Sequence, residues 1–87
     1  MKLYHILKTE AVECNLYCAI LFSTTNKDKA IEELGKIAND VKNYDYASEI
    51  ANGWAVEESE TEFTIYEDGY YSTNHYELTI VESDLVS

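Results

Sequence analysis

Residues 57–68 read EESETEFTIYED, and their reading decides the fold. Phe63 and Ile65 alternate with Thr64 and Tyr66, the period of two that a strand shows when one of its faces is buried. Carrying that strand through the whole stretch lines up Glu58, Glu60, Glu62, Thr64, Tyr66 and Asp68 on the face away from Phe63 and Ile65. Alternate residues of a strand repeat every ~6.6–6.8 Å. The expectation is therefore a regular ladder of carboxylates on a water-facing sheet surface. Residues 75–81 alternate again, with Tyr76, Leu78 and Ile80 on one face and His75, Glu77, Thr79 and Val81 on the other. Glu77 can join the ladder from this neighbouring strand. Asp68-Gly69 marks the turn between the two, a hairpin with a loose tip.

Toward the N-terminus, residues 2–8 alternate loosely and read as a first strand, and 9–13 read as a turn or irregular link. Residues 14–23 are apolar and β-compatible and read as a buried second strand; a helix from Thr9 through Phe22 is the competing reading. Thr25-Asn26-Lys27-Asp28 reads as a helix start, with Thr24 or Thr25 as the cap. Ala30, Ile31, Leu34, Ile37, Ala38 and Val41 then follow helical spacing, opposite Lys29, Glu32, Glu33, Lys36 and Asp40. A short second helical segment is expected over Asp45–Asn52, with Asp45 as its cap and Gly53 as its stop. Tyr46, Ala47, Ile50, Ala51 and Trp54 would line its inner side. The sum is an α+β fold of order ββαββ. It is a four-stranded antiparallel sheet packed on one main helix, in two layers, over a single domain spanning 1–87.

Charge is distributed unevenly along the chain. All six Lys lie in residues 1–42, balanced by six carboxylates; residues 43–87 carry eleven carboxylates and no Lys, and Arg is absent. The formal charge of −11 therefore belongs to the C-terminal half, which also holds six of the eight Tyr. Such a surface repels nucleic acid, and no apolar run approaches the ~20 residues that span a bilayer. The N-terminus lacks the long apolar stretch of a signal peptide, and a cytoplasmic protein is expected. Cys14 and Cys18 have no second pair to complete a zinc site and read as reduced core cysteines. His5 and His75 lie in no metal-ligand spacing, no glycine-rich phosphate loop is present, and no Ser–His or Cys–His pair has a supporting motif. The reading is a non-enzymatic protein without metal or cofactor.

Acids interleaved with tyrosines suit a basic protein partner, because a Tyr ring adds apolar contact at small entropic cost. The candidate contact residues are Glu58, Glu60, Glu62, Tyr66, Asp68, Tyr70, Tyr71 and Glu77. In charge, size and Tyr content the chain resembles the small acidic inhibitors of phages and mobile elements, of the anti-CRISPR and anti-restriction type. Glu58, Glu60, Glu62, Asp68, Tyr70 and Tyr71 carry that resemblance; nuclease immunity proteins are similar in size and in pairing acids with Tyr. The resemblance implies an inhibitor in the cytoplasm of a bacterial host. It would block the nucleic-acid groove of a nuclease or other basic enzyme by mimicking phosphates. The alternative is a self-associating structural or adaptor module, a homodimer joined through an exposed sheet edge. Either way, so many like charges in 87 residues repel one another. Added salt is expected to raise the melting temperature, which a thermal scan across ionic strengths measures directly.

Overall fold

The computed structural model describes residues 2–12, 15–67 and 74–84. Its elements are β1 (Lys2–Val12), β2 (Asn15–Thr24), α1 (Lys27–Asp40), a π-helical turn (Val41–Asp45), α2 (Ala47–Ala51), β3 (Ala55–Glu58), β4 (Glu62–Tyr66) and β5 (His75–Asp84). All strands join one antiparallel sheet in the order β2-β1-β5-β4-β3. The α+β class and the two layers stand. The four-stranded ββαββ arrangement does not, because the sheet has five strands.

The extra strand comes from the acidic stretch. Residues 57–68 are not one strand, because the chain turns back at Ser59–Glu62. The Ser59 amide donates to the Glu62 carbonyl at 2.8 Å, and the Glu62 amide donates to Ser59 Oγ at 3.1 Å. A serine hydroxyl offers the backbone a local alternative to a ladder partner, and here it closes a turn. Val56 then falls opposite Ile65, and Glu58 opposite Phe63.

The core lies between one sheet face and α1. Register places Ile6 beside Ile80, Leu78 beside Phe63, and Tyr76 beside Ile65 on that face. These residues meet Leu34, Ala38 and Val41, and Phe22, Ile37, Tyr46, Ile50, Trp54, Val56 and Ile80 close the margins. Ala30, Leu34 and Ala38 are the buried stripe of α1, as the helical spacing required. Its cap is Asn26, not Thr24 or Thr25: the Asn26 side chain accepts from the Lys29 amide at 3.2 Å. Thr24 Oγ1 instead accepts from the Asn26 amide and holds the cap in place. After Asp40 the helix widens, and the Tyr46 amide reaches back five residues to the Val41 carbonyl at 2.8 Å. Asp45 sits within this turn and does not cap α2, which has no side-chain cap. Gly53 ends the segment with φ +101°, as a stop glycine should.

Two further expectations fail at the first hairpin. β1 does not stop at residue 8 but continues to Val12, pairing with β2 on one side and β5 on the other. β2 is a strand, so a Thr9–Phe22 helix is excluded, and it is an exposed edge instead of a buried strand. An apolar run reads alike in both settings, because pattern does not say where the covering layer ends. Cys18 is consequently an exposed free thiol and not a core cysteine; Cys14 lies outside the described residues. No helix among the described residues is long and apolar enough to cross a membrane.

The two described helix-region glycines give opposite expectations. A Cβ on Gly35 meets nothing within 4 Å, so Gly35→Ala should stabilise the fold by about 1 kcal/mol through helix propensity. Gly53→Ala meets no atom either but must hold a positive φ, and should cost about 1–2 kcal/mol. Urea denaturation of both variants tests the pair of signs.

Candidate partner-binding site

The turn at Ser59–Glu62 disperses the expected ladder. Glu62, Tyr66 and Glu77 lie on the open sheet face, away from α1, as alternation required. Glu58 belongs to β3, shares the helix-side face with Phe63, and accepts from Lys42 Nζ at 2.6 Å. Glu60 stands exposed in the turn. Asp68, Tyr70 and Tyr71 lie outside the described residues.

A smaller group replaces the ladder. Glu57 and Glu77 flank Thr64 from β3 and β5, and Glu62 follows along β4. The Tyr66 hydroxyl donates to Glu57 Oε1 at 3.3 Å. Glu57, Glu58, Ser59, Glu62 and Thr64 line a shallow hollow of about 220 Å³.

The sequence reading missed a second acidic site on the opposite side of the sheet. There the far end of β1 meets the π-helical turn and α2. Glu10, Ala11, Val12, Asp45, Tyr46, Glu49, Trp54 and Asn74 line a cleft of about 310 Å³. The Tyr46 hydroxyl donates to Glu10 Oε2 at 2.5 Å. The Tyr46 ring lies 5.9 Å from Trp54 and 5.3 Å from Tyr76, centroid to centroid. Half the signal was visible in sequence, since Asp45 and Glu49 are one helical turn apart and Tyr46 and Trp54 were assigned inward. Glu10 was invisible, because it reaches the cleft only if β1 continues past residue 8.

Chemically, the cleft suits a cation. Carboxylates give charge-assisted hydrogen bonds to an ammonium or guanidinium, and an aromatic face within ~6 Å adds cation–π attraction. Four of the six lysines are engaged elsewhere: Lys2 with Glu82, Lys29 and Lys36 with Glu32 and Glu33, and Lys42 with Glu58; Lys27 begins α1, and Lys8 stands two residues before Glu10 on the same face of β1. Among the described residues no ion pair reaches Glu10, Asp45, Glu49, Glu57, Glu62 or Glu77.

The histidines do not join either acidic group into a metal site; no cluster of three ligating side chains is found among the described residues. His75 faces the open side beside Tyr66. His5 bridges three strands there, with Nδ1 2.7 Å from Ser23 Oγ and Nε2 2.9 Å from Ser83 Oγ. A serine hydroxyl thus meets each ring nitrogen and ties the three strands together.

No family model, curated protein or solved structure matches this chain.

Burial and the nearby acids favour the neutral tyrosines of the cleft. Burial raises the Tyr46 hydroxyl well above its ordinary value, reinforced by its hydrogen bond to Glu10. Burial, with the charges of Glu10 and Asp45, pushes Tyr76 up to about 12. The unfolded chain therefore loses these protons first as pH rises. Stability is full below the unfolded pKa of 10 and falls as pH climbs from there through the folded values. Denaturant midpoints should drop above pH 10, and Tyr46→Phe with Tyr76→Phe should flatten that drop.

Proposed function

We propose that this chain is a small acidic inhibitor that binds a basic nucleic-acid-processing enzyme, such as a CRISPR or restriction nuclease, in a bacterial cytoplasm. The observation that carries the reading is the sorting of its ion pairs. Helix and edge lysines neutralise Glu32, Glu33, Glu58 and Glu82, while Glu10, Asp45 and Glu49 surround an aromatic cleft and form no ion pair among the described residues. A lysine or arginine from a partner would complement that cleft in charge. Glu57, Glu62 and Glu77 add a second unpaired group on the open face.

Phosphate mimicry takes a different form here from an evenly spaced ladder. Two acidic groups on opposite sheet faces cannot both lie flat in one groove. The cleft supplies the anchor, where desolvated rings and charge-assisted bonds set the residence time. The open-face acids supply long-range field, which speeds encounter with a basic surface and is screened by salt.

The test begins with a tagged pull-down from a phage-sensitive bacterial lysate, with and without competing DNA, read by mass spectrometry. Capture of a basic nucleic-acid enzyme that DNA releases supports groove occupation; capture that DNA does not displace overturns it. With the target in hand, Glu57→Lys, Glu62→Lys and Glu77→Lys together should lower the on-rate by about tenfold or more. Glu32→Lys with Glu33→Lys should change it far less, because Lys29 and then Lys36 already hold the Glu33 carboxyl below its usual range. Equal losses from both sets would remove the open-face acids from the mechanism. Trp54→Ala should act on the off-rate instead, by roughly tenfold.

A further inference from the structure

The two edges of the sheet are built differently. β3 is four residues long and carries Glu57 and Glu58, a short charged edge of the kind that resists pairing. β2 is ten residues long, carries no charged residue, and pairs on its outer side with no other strand among the described residues. Cys14–Asn26 is the longest uncharged run in the chain, in a protein of net charge −11. Leu16, Tyr17 and Ile20 are 66, 54 and 61% exposed. A free strand edge of this kind presents unpaired backbone donors and acceptors together with apolar side chains on both faces.

We infer that β2 is a homodimer interface, in which two copies pair edge to edge and antiparallel to form one ten-stranded sheet. Three observations select a second copy of this chain as the occupant.

The first is self-complementarity. A two-fold axis through Cys18 sets Leu16 of each copy beside Ile20 of the other on the open face. On the helix side it sets Tyr17, a large residue, beside Ala19, a small one, and it does so twice. The register of β2 with β1 shifts at Leu21, where a bulge interrupts the edge. The symmetric segment Asn15–Leu21 thus ends where regular pairing ends.

The second is charge. A basic partner is drawn to the unpaired acids of the cleft and of β3, β4 and β5, and gains nothing from an uncharged edge. A second copy meets no charged side chain along Asn15–Thr24, with Lys8 and Glu10 one strand in on β1. In the paired arrangement the two β3 edges are separated by nine strand spacings, ~43 Å, several times the ~8 Å Debye length at physiological salt. The third is the apolar hollow of about 230 Å³ formed by His5, Leu7, Ile20 and Val81 beside the edge. Edge pairing carries the partner's Leu16 to its rim and extends the apolar open face across the junction.

This inference is independent of the partner-binding reading and is tested apart from it. Sedimentation velocity on the purified chain should give a species of twice the 10.0 kDa monomer, with dissociation weakened by added salt. Binding to a basic enzyme has the opposite salt dependence. Leu16→Glu with Ile20→Glu places like charges directly opposite one another and should return the chain to monomer with an unchanged circular dichroism spectrum. Asn39→Glu with Asn43→Glu adds the same charge on exposed helical sites and should leave the dimer intact. Should the edge variant not fold, a Cys14→Ser chain retains Cys18 alone, and mild oxidation should trap a covalent dimer across the axis. A wild-type chain that stays monomeric at its highest soluble concentration overturns the inference. So does a dimer that survives the edge substitutions, or one that disperses equally with the control pair.

Discussion

One helix covers five strands, and this mismatch of dimensions governs the molecule. The fourteen residues of α1 are ~21 Å long, whereas the eleven of β1 reach ~37 Å. The helix therefore seals only the centre of one face, where Ile6, Leu78, Phe63 and Ile65 lie almost wholly out of water. Beyond it the chain uses cheaper covers. The π-helical turn and α2 bring Tyr46, Ile50 and Trp54 over the end nearest Trp54, and β2 beyond Phe22 is left open. The cleft and the bare edge are both consequences of a cover too short for its sheet.

The cleft is acidic because of where the lysines fall. Lys29 and Lys36 lie one helical turn either side of Glu32 and Glu33, and each bridges to both. Exposed pairs of this kind add little stability, but they cancel the field of the helix surface. Lys42, just past the helix, cancels Glu58 at the β3 edge. The acids left over come from β1, the π-helical turn, α2 and the C-terminal strands. Those segments meet around aromatic rings already required by the core. Tyr46 belongs to both: its ring touches Tyr76 and Trp54, while its hydroxyl holds Glu10. A site so joined to the core is stiff, which limits the ordering cost of binding.

Much of the fold was legible in sequence because it obeys simple periodicities. The stripe Ala30, Leu34, Ala38 and the alternation Tyr76, Leu78 follow from the repeats of helix and strand. The failures share one physical cause. Whether Ser59-Glu60-Thr61-Glu62 extends or turns depends on a serine hydroxyl choosing a local amide over solvent, and alternation cannot register that choice. Whether Leu16 and Ile20 are covered depends on the length of a helix elsewhere in the chain. Glu10 is an ordinary strand glutamate until β1 is seen to run on beneath α2. Half of the candidate site, Tyr46, Trp54 and the Asp45–Glu49 spacing, was written in one short segment; the other half required tertiary structure.

The opposed character of the two edges bears on how the molecule can work. Negative charge keeps an exposed strand from pairing with its like, and here it guards β3 and leaves β2 bare. A chain selected only for solubility would have no reason to treat its edges differently, since a single lysine in Asn15–Thr24 would close the vulnerable one. The absence of any charge over that strand, in a chain of net charge −11, is economically explained when β2 is covered in the working assembly. Pairing there would set two acidic clefts on one continuous sheet, each reaching through Glu10 to within one strand of the junction. Each copy then holds the other's weakly covered edge while leaving its own unpaired carboxylates free. Two linked sites raise the effective concentration of the second once the first is engaged, provided that a target presents two basic surfaces at that spacing. In the proposed dimer the edge contact would stabilise a small fold whose main helix is too short for its sheet, and the same contact would set the geometry in which the acids are displayed.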